Sequence, residues 1–278
     1  MSARAPVRAA RASRGEVPWG RRLLSVTANE ELGAYRLLRL ASPPTAPAAG
    51  QFAMLAAAER WGGAGAERPY FPRALSFARW RAGEAQFLLE DVGPGSRRLC
   101  ALEPGEQVWS LAPLGRGFRA PRARRRALLV GGGVGIAPLA ILQDELRVPT
   151  TVLLGFRDRE RARGGQLLRD ARIASDDGSV GHHGLVTDLL AQELAEDARA
   201  EVYACGPARM LEGVRALCEA ERVPAQLSLE APMACGYGAC FGCAVPARDG
   251  SYLRVCVDGP VLDAVLLERV EEHSGAPA

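Results

Sequence analysis

Lysine is absent from this chain, so all 35 of its cationic Lys-or-Arg side chains are arginine. That absence removes whole mechanisms. No ε-amine can form a Schiff base with a carbonyl substrate or a pyridoxal cofactor, and no P-loop lysine can reach a nucleotide phosphate. Histidine is scarce as well, at three in 278 residues. The pair His182 and His183 lies between glycines and reads as a loop feature, not a metal site. No apolar run reaches the length of a membrane span; the best, Ala127 to Leu142, is broken by glycines and a proline. No secretory h-region opens the sequence, so a cytoplasmic, thiol-reducing setting with no membrane partner is expected. Chemistry is left to cofactors, or to Cys, Asp, Glu, His and backbone groups.

The net charge of +3 is small for 278 residues, which argues against a polyanionic partner. The densest basic patch, Arg119 to Arg126, has five arginines in eight residues but no interleaved aromatics. It reads as a solvated interdomain segment, and no nucleic-acid partner is expected. The length suffices for two domains and a small appendage.

Residues 1–18 are rich in Ala and Arg, poor in acids and without periodicity. They read as a disordered extension, with an organellar targeting peptide as the alternative. Residues 19–120 then carry short apolar stretches, R-L-L-S-V-T, A-Y-R-L-L-R-L, G-Q-F-A-M-L, A-L-S-F-A-R-W, A-Q-F-L-L-E-D-V and E-Q-V-W-S-L, separated by Pro43, Pro44, Gly50, Gly83, Pro94 and Gly105. This punctuation predicts a compact antiparallel β-barrel. Residues 121–225 alternate strands with helices, which predicts a parallel α/β nucleotide-binding domain. One of its helices, over V-T-D-L-L-A-Q-E-L, is expected to be capped by Thr187. Residues 226–270 form a cysteine-bearing tail.

That tail holds four of the seven cysteines: Cys235, Cys240, Cys243 and Cys256, spaced C-x4-C-x2-C-x12-C. The spacing of the first three cysteines suits a [2Fe-2S] loop, with the fourth thiolate arriving from a later strand or turn. Gly236, Gly238 and Gly242 leave room for backbone N–H groups to approach sulfur. A four-thiolate zinc site is the alternative, although zinc ribbons usually present paired short knuckles.

The α/β region offers two dinucleotide signals. Gly131, Gly132, Gly133 and Gly135 follow an apolar strand and precede a helix with Pro138 in its first turn. There, bare N–H groups and the helix dipole can face a pyrophosphate. Cys205, Gly206 and Pro207 end a second strand, where open sheets bind ligands, and can line a nicotinamide pocket. The alternative for Cys205 is a small buried hydrophobe, a reading that fits Cys218 and Cys100 better because neither has a motif around it. In the barrel, Arg73, Ala74, Leu75 and Ser76, together with the turn Gly93-Pro94-Gly95-Ser96, are candidate flavin contacts through a guanidinium fork, hydroxyls and turn N–H groups.

Taken together, A-G-Q-F-A-M-L, R-A-L-S, V-G-P-G-S, A-P-L-G-R-G-F, L-V-G-G-G-V-G-I-A-P-L, D-D-G-S-V-G-H-H-G-L-V-T-D, Y-A-C-G-P and S-L-E-A-P-M-A-C-G-Y-G-A-C-F-G-C resemble the electron-transfer subunit of NAD-dependent (class 1B) dihydroorotate dehydrogenase. This is a branch of the ferredoxin reductase superfamily. A sister group of ferredoxin-NADP reductase subunits tends to lack cysteine at the first ligand position, so Cys235 favours the dihydroorotate branch. The resemblance implies FAD held by Arg73 to Ser76, Leu88, Leu89 and Glu90, and Gly95 with Ser96. It implies [2Fe-2S] on Cys235, Cys240, Cys243 and Cys256, and NAD on the α/β domain. It further implies an FMN-containing catalytic subunit that oxidises dihydroorotate in UMP biosynthesis, assembled as a heterotetramer of two of each. No residue of this chain is then catalytic in its own right. An NAD(P)H-dependent flavin/iron-sulfur reductase for another partner, and a zinc-stabilised binding module, are the competing readings.

Two positions depart from the family pattern. Ala74 stands where the family often has proline, and Glu90 where it often has a basic residue. A carboxylate beside a flavin or its phosphates repels charge, so Glu90 is expected either to point away or to mark a modified site. For the dinucleotide, Arg157 can pair a 2′-phosphate while Asp158 can bond ribose hydroxyls.

Overall fold

The computed structural model describes residues 20–41, 45–62, 69–81, 83–122 and 125–270. The expected extension over 1–18, and the prolines Pro43 and Pro44, lie outside these residues. Six strands close an antiparallel barrel: β1 (Arg21–Leu32), β2 (Tyr35–Ala41), β3 (Phe52–Ala57), β4 (Arg73–Arg81), β5 (Glu84–Leu89) and β6 (Gln107–Leu114), in the order β1-β2-β5-β4-β3-β6. Each coincides with one of the six apolar stretches. Strand β6 shows the cause, because Val108, Ser110, Ala112 and Leu114 alternate inward with a period of two. Between β5 and β6, helix α1 (Pro94–Cys100) occupies what the sequence suggests is only a turn. Pro94 fits its first turn, and Ser96 Oγ accepts from the N–H groups of Gly93 (3.0 Å) and Val92 (2.9 Å).

The second body is a seven-stranded sheet with helices between its strands. Its parallel strands are β7 (Arg126–Gly132), β8 (Thr150–Phe156), β9 (Ala171–Ser175), β10 (His182–His183), β11 (Ala200–Cys205) and β12 (Ala225–Ser228). The helices are α2 (Ala137–Glu145), α3 (Arg159–Ala162), α4 (Val186–Glu196) and α5 (Ala208–Ala220). After β13 (Ala244–Pro246) and β14 (Tyr252–Arg254), which pair with each other, β15 (Val261–Asp263) returns antiparallel to β12. The sheet order is β10-β9-β8-β7-β11-β12-β15. Its last two strands therefore come from either side of the cysteine loop. Thr187 does not cap α4, because the helix starts one residue earlier; Asp188 instead accepts from the N–H of Leu185 at 2.8 Å. His182 and His183 form the short edge strand β10, paired with β9.

Arginine joins the two bodies. Asp144 on α2 accepts from Arg79 (2.5 Å) and Arg81 (2.7 Å) of β4 in the barrel, and from Arg169 (2.6 Å) of the sheet domain. Burial raises the carboxyl's pKa, but the Arg169 and Arg81 hydrogen bonds and the Arg79 charge outweigh it and hold the group below its usual range. The linker arginines are likewise engaged: Arg119 pairs Asp263, and Arg126 pairs Glu193 at 2.5 Å. Beneath them, buried Gln226 bonds the Arg119 carbonyl (3.0 Å) and buried Glu201 (2.9 Å). No helix of the described residues is long and apolar enough to cross a membrane.

Asp144→Asn should lower stability by about 1–3 kcal/mol, since three guanidinium groups would lose their shared charged acceptor. Because the folded pKa is depressed, this stabilisation is full above the unfolded aspartate value of about 3.9 and is lost as pH falls through the lower folded value. Denaturant midpoints at pH 7 and pH 3 check both points, with a smaller difference between wild type and variant expected at the lower pH.

Candidate functional site

The carboxyl ends of the sheet strands face the barrel across a cavity of about 230 Å³. Ala74, Leu75 and Ser76 of β4 with Leu88 of β5 form the barrel wall. Gly135, Ala137 and Cys205 form the sheet wall, and Ser228 to Ala231, Met233 and Pro260 close the third side. A larger cavity of about 360 Å³ lies at the opposite end of the sheet, lined by Arg122, Arg125 and Pro224. Ligands of open α/β sheets bind outside the carboxyl ends of the strands, so the smaller cleft is the functional candidate.

Of the expected flavin residues, Ala74 to Ser76 and Leu88 line this cleft, while Leu89 is buried in the barrel core. Arg73 turns to the start of α1, where its guanidinium lies so close to Gly95 that a Cβ there would collide with it. Burial lowers the Arg73 pKa, and its Nη1 donates to the Phe71 carbonyl at 2.8 Å. A desolvated guanidinium beside first-turn N–H groups is an anion seat suited to a flavin pyrophosphate. The buried Trp61 Nε1 nearby has no hydrogen-bond partner among the described residues, and the Trp61 ring is 6.0 Å from the Arg73 guanidinium carbon. The Ser96 hydroxyl, in contrast, is committed to the turn before α1. Glu90 is turned to the sheet domain, where its Oε1 accepts from Arg161 Nε at 3.3 Å.

The glycine turn divides its labour. Gly131 and Gly132 are packing positions, where a Cβ would meet Ile136 and Met210 respectively. A Cβ on Gly135 would lie 2.6 Å from Gly206 Cα, so this pair brings the β7 and β11 turns into backbone contact. Gly133 differs, with φ +53° and open space where its side chain would stand. Pro207 follows as the residue before α5. Cys205 is buried; burial, the Glu230 charge and, in opposition, a Ser228 hydrogen bond leave its thiol pKa well above the usual range. Past β8, Asp158 is not free for a ribose: its carboxylate accepts from Arg161 N at 2.8 Å and Arg161 Nη1 at 2.6 Å. Arg157 is exposed beside it.

The four tail cysteines meet as two pairs. Cys243 and Cys256 are buried with their sulfurs 3.2 Å apart. Cys235 is hydrogen bonded to Cys240, the exposed member of the set. Burial pushes the Cys235 thiol up, but N–H groups of Tyr237 and Cys240, the Cys240 thiol and the Ala239 N–H outweigh it and bring the pKa to about 6. Burial, followed by the Cys243 thiol, pushes Cys256 up to about 12. Gly236 adopts φ +80°, and a Cβ there would lie 2.5 Å from Met54 Cγ of the barrel. Among the described residues no three His, Cys, Asp or Glu side chains converge as for a single ion. Two thiols beside two thiols fits a binuclear cluster with two ligands on each iron.

The expected set omits the one carboxylate that lines the cleft. Glu230, at the end of β12, lines the cavity, and burial raises its pKa. It stands third in S-L-E-A-P-M-A-C-G-Y-G-A-C-F-G-C, five residues before Cys235.

A closed barrel, a dinucleotide-type sheet and a four-cysteine loop on one cleft define a ferredoxin-reductase-like electron-transfer protein. The fold is shared with NADH-dependent reduced ferredoxin-NADP oxidoreductase, at TM-score 0.76 and 24% identity over 90% of this chain and 91% of that one. It is shared also with the ferredoxin reductase of carbazole 1,9a-dioxygenase, at TM-score 0.61 and 23% identity over 74% and 67%. The iron-sulfur cluster binding domain of dihydroorotate dehydrogenase B matches residues 230–268. The dihydroorotate dehydrogenase B (NAD(+)) electron transfer subunit of Bacillus caldolyticus is 40% identical over 69% of this chain and 77% of its own length. That of Geobacillus thermodenitrificans is 40% identical over 77% and 84%, and the homolog of Aquifex aeolicus 34% over 77% and 83%. This chain belongs to the family of dihydroorotate dehydrogenase B electron transfer subunits.

Gly135→Ala should destabilise the sheet domain by about 1–3 kcal/mol, because the neighbour met is backbone and cannot swing aside. Thermal unfolding checks this; an unchanged midpoint would mean that the two turns are not held in contact.

Proposed function

We propose that this chain carries electrons from an FMN-containing dihydroorotate dehydrogenase subunit to NAD, as half of a cytoplasmic heterotetramer with two copies of each subunit, in pyrimidine biosynthesis. FAD is held by Arg73 and the α1 start at its pyrophosphate, with Ala74 to Ser76 and Leu88 around its ring. The [2Fe-2S] cluster is held by Cys235, Cys240, Cys243 and Cys256, and NAD by the Gly131 to Gly135 and Cys205 to Pro207 turns. The cofactors supply the redox chemistry: the cluster passes single electrons, while FAD exchanges single electrons on one side and a hydride on the other.

One observation carries this reading. The residues that wall the cleft, Glu230, Ala231, Met233 and Pro260, run directly into the loop that presents the four cysteines. Such continuity fixes the flavin seat and the cluster seat relative to each other. The protein's own part is orientation. Gly135 and Gly206 hold the two dinucleotide turns together, and Cys243 and Cys256 bury one side of the cluster loop. Cys240 lies on the outer side with Tyr237 and Phe241, which are 58% and 62% exposed. Exposed aromatics beside a thiolate edge form a docking face for the catalytic subunit.

Anaerobically purified protein should contain one flavin, two irons and two acid-labile sulfides per chain, and Cys240→Ser should lose most of the iron. Iron unchanged in that variant would overturn the ligand set, and a colourless protein holding zinc would overturn the electron-transfer reading. Co-purified with an FMN subunit, the chain should support dihydroorotate-dependent NAD reduction. Failure of every such subunit to bind would leave a reductase for another partner.

A further inference from the structure

The cavity of about 360 Å³ where β7 and β12 begin has no part in the proposed electron route. Five arginines and two carboxylates line it, over a buried floor of Cys218, Val223 and Ala225. Burial pushes the Cys218 thiol up to about 12, so the floor adds no charge. Both carboxylates are occupied. Glu219 accepts from Arg248 Nη2 and Arg215 Nη1, each at 2.7 Å, and these bonds hold it below its usual range. Asp263 pairs with Arg119. Arg215 is tied further by two 2.8 Å bonds to Glu212. Arg122, Arg125 and Arg222 are left without a carboxylate partner among the described residues.

Arg222 also holds a backbone conformation that suits glycine better. It follows the end of α5 with φ +54°, where a Cβ is crowded and glycine is the usual residue. Its N–H donates to the Glu219 carbonyl at 3.2 Å and that of Val223 to the Cys218 carbonyl at 2.8 Å, the two bonds of a Schellman turn. With Glu221 N on the Leu217 carbonyl at 3.0 Å, they occupy carbonyls at the end of α5 that would otherwise repel an anion. The two linker arginines are anchored on the other side. Arg122 N donates to Glu201 Oε2 at 2.9 Å, and Arg125 Nη1 to the Ala200 carbonyl at 3.0 Å. A guanidinium held through one amine keeps its remaining donors for a ligand.

A carboxylate ligand, with one negative charge, would leave most of this positive charge uncompensated. A phosphate monoester brings about 1.5 to 2 negative charges and three strong acceptor oxygens, which match guanidinium forks. The phosphate group fills only part of the cavity, and the apolar floor can take an organic body. No aromatic side chain lines the cavity, so a nucleic-acid strand would find no stacking platform. We propose that this cavity binds a small phosphate monoester, its phosphate held by Arg122, Arg125 and Arg222 and its body seated on Val223 and Ala225. The ligand would tie the segment between barrel and sheet to the end of α5. The site is separate from the cleft, and the assignment does not depend on the function proposed above.

The full chain, loaded with its cofactors and with NAD present to occupy the cleft, is titrated calorimetrically with ribose 5-phosphate, adenosine 5′-monophosphate, inorganic phosphate and ribose. The esters should bind more tightly than inorganic phosphate, and ribose should not bind. Tighter binding of adenosine 5′-monophosphate would mark a nucleotide as the ligand and tighter binding of ribose 5-phosphate a sugar phosphate; either supports the proposal. Arg122 and Arg222 are exposed, so replacing them opens no core. Arg122→Ala and Arg222→Gly should each weaken ester binding about tenfold, as loss of a charge-assisted hydrogen bond does. Arg222→Lys, a point charge without the fork, should recover part of the loss. Without ligand, Arg222→Gly should melt no lower than wild type, because glycine suits φ +54°. The ester should raise the melting temperature of the wild type but not of the Arg122→Ala, Arg222→Gly double variant. Ester binding unchanged in both single variants would overturn the proposal. So would inorganic phosphate and sulfate binding as tightly as the esters, which would mean an adventitious ion only. A melting temperature of Arg222→Gly well below wild type would make Arg222 a structural residue and overturn its assignment.

Discussion

Strand β12 pairs antiparallel with β15 through Gln226 and Asp263, Leu227 and Leu262, and Ser228 and Val261, and the placement of the cysteine loop against the cleft depends on this short ladder. The cysteine loop is the excursion between these two strands. Closing a loop of this length costs entropy that only its fixed ends can offset, so the ladder must be braced from outside. It is: Arg116 N donates to the Gly259 carbonyl at 2.5 Å, Arg119 pairs Asp263, and Gln226 and Glu201 form a buried polar network beneath. Leu229 to Ala231 and Met233 at one end of the excursion, and Pro260 at the other, form the third wall of the cleft. Any displacement of the ladder would move the cleft wall and the four cysteines together.

The absence of lysine bears on this architecture. A guanidinium presents several donors in a rigid fork, so one arginine can bridge elements that an ammonium would contact singly. Arg126 bonds the carboxylate and carbonyl of Glu193 and the Asp197 carbonyl, joining β7 to the end of α4. Acids are shared in return. Glu193 takes Arg126 and Arg172, and Asp144 takes arginines from both bodies. Shared acceptors of this kind hold barrel against sheet and so set the width of the cleft.

Legibility in the sequence followed the strength of local signals. The six barrel strands were readable because glycines and prolines separate apolar stretches, and β7 and β11 because each carries a short apolar run that ends in a glycine turn. Helix α1 was not, because Gly93-Pro94-Gly95-Ser96 is turn chemistry that the chain uses as a helix start. Strands β9 and β10 were missed because they are short and flank the polar run Asp176 to Gly181. Among the site residues, spacing alone exposed the four cysteines. The functions of individual glycines were less visible: sequence cannot distinguish Gly135, which lets two turns touch, from Gly133, whose side-chain position is open space. The orientation of Glu90 was equally hidden, since its partner Arg161 is 71 residues away. Glu230 has no spacing of its own, and only the meeting of three walls makes it conspicuous.

The cluster loop also has a direction. Its inner pair, Cys243 and Cys256, is buried, and burial raises the pKa of Cys256. Its outer pair contains the exposed Cys240, and Cys235 gathers N–H donors from Tyr237, Ala239 and Cys240. Hydrogen bonds to cluster sulfurs stabilise added negative charge, and exposure brings that side within reach of another subunit. Those donors exist because Gly236 and Gly238, both with positive φ, curl the backbone around the Cys235 sulfur. The same Gly236 packs its Cα against Met54 of β3, the strand adjoining the Ala74 to Ser76 wall. One tight turn thus serves both ends of the route: its N–H groups serve the outward edge, and its missing side chain lets the loop seat against the barrel that walls the cleft.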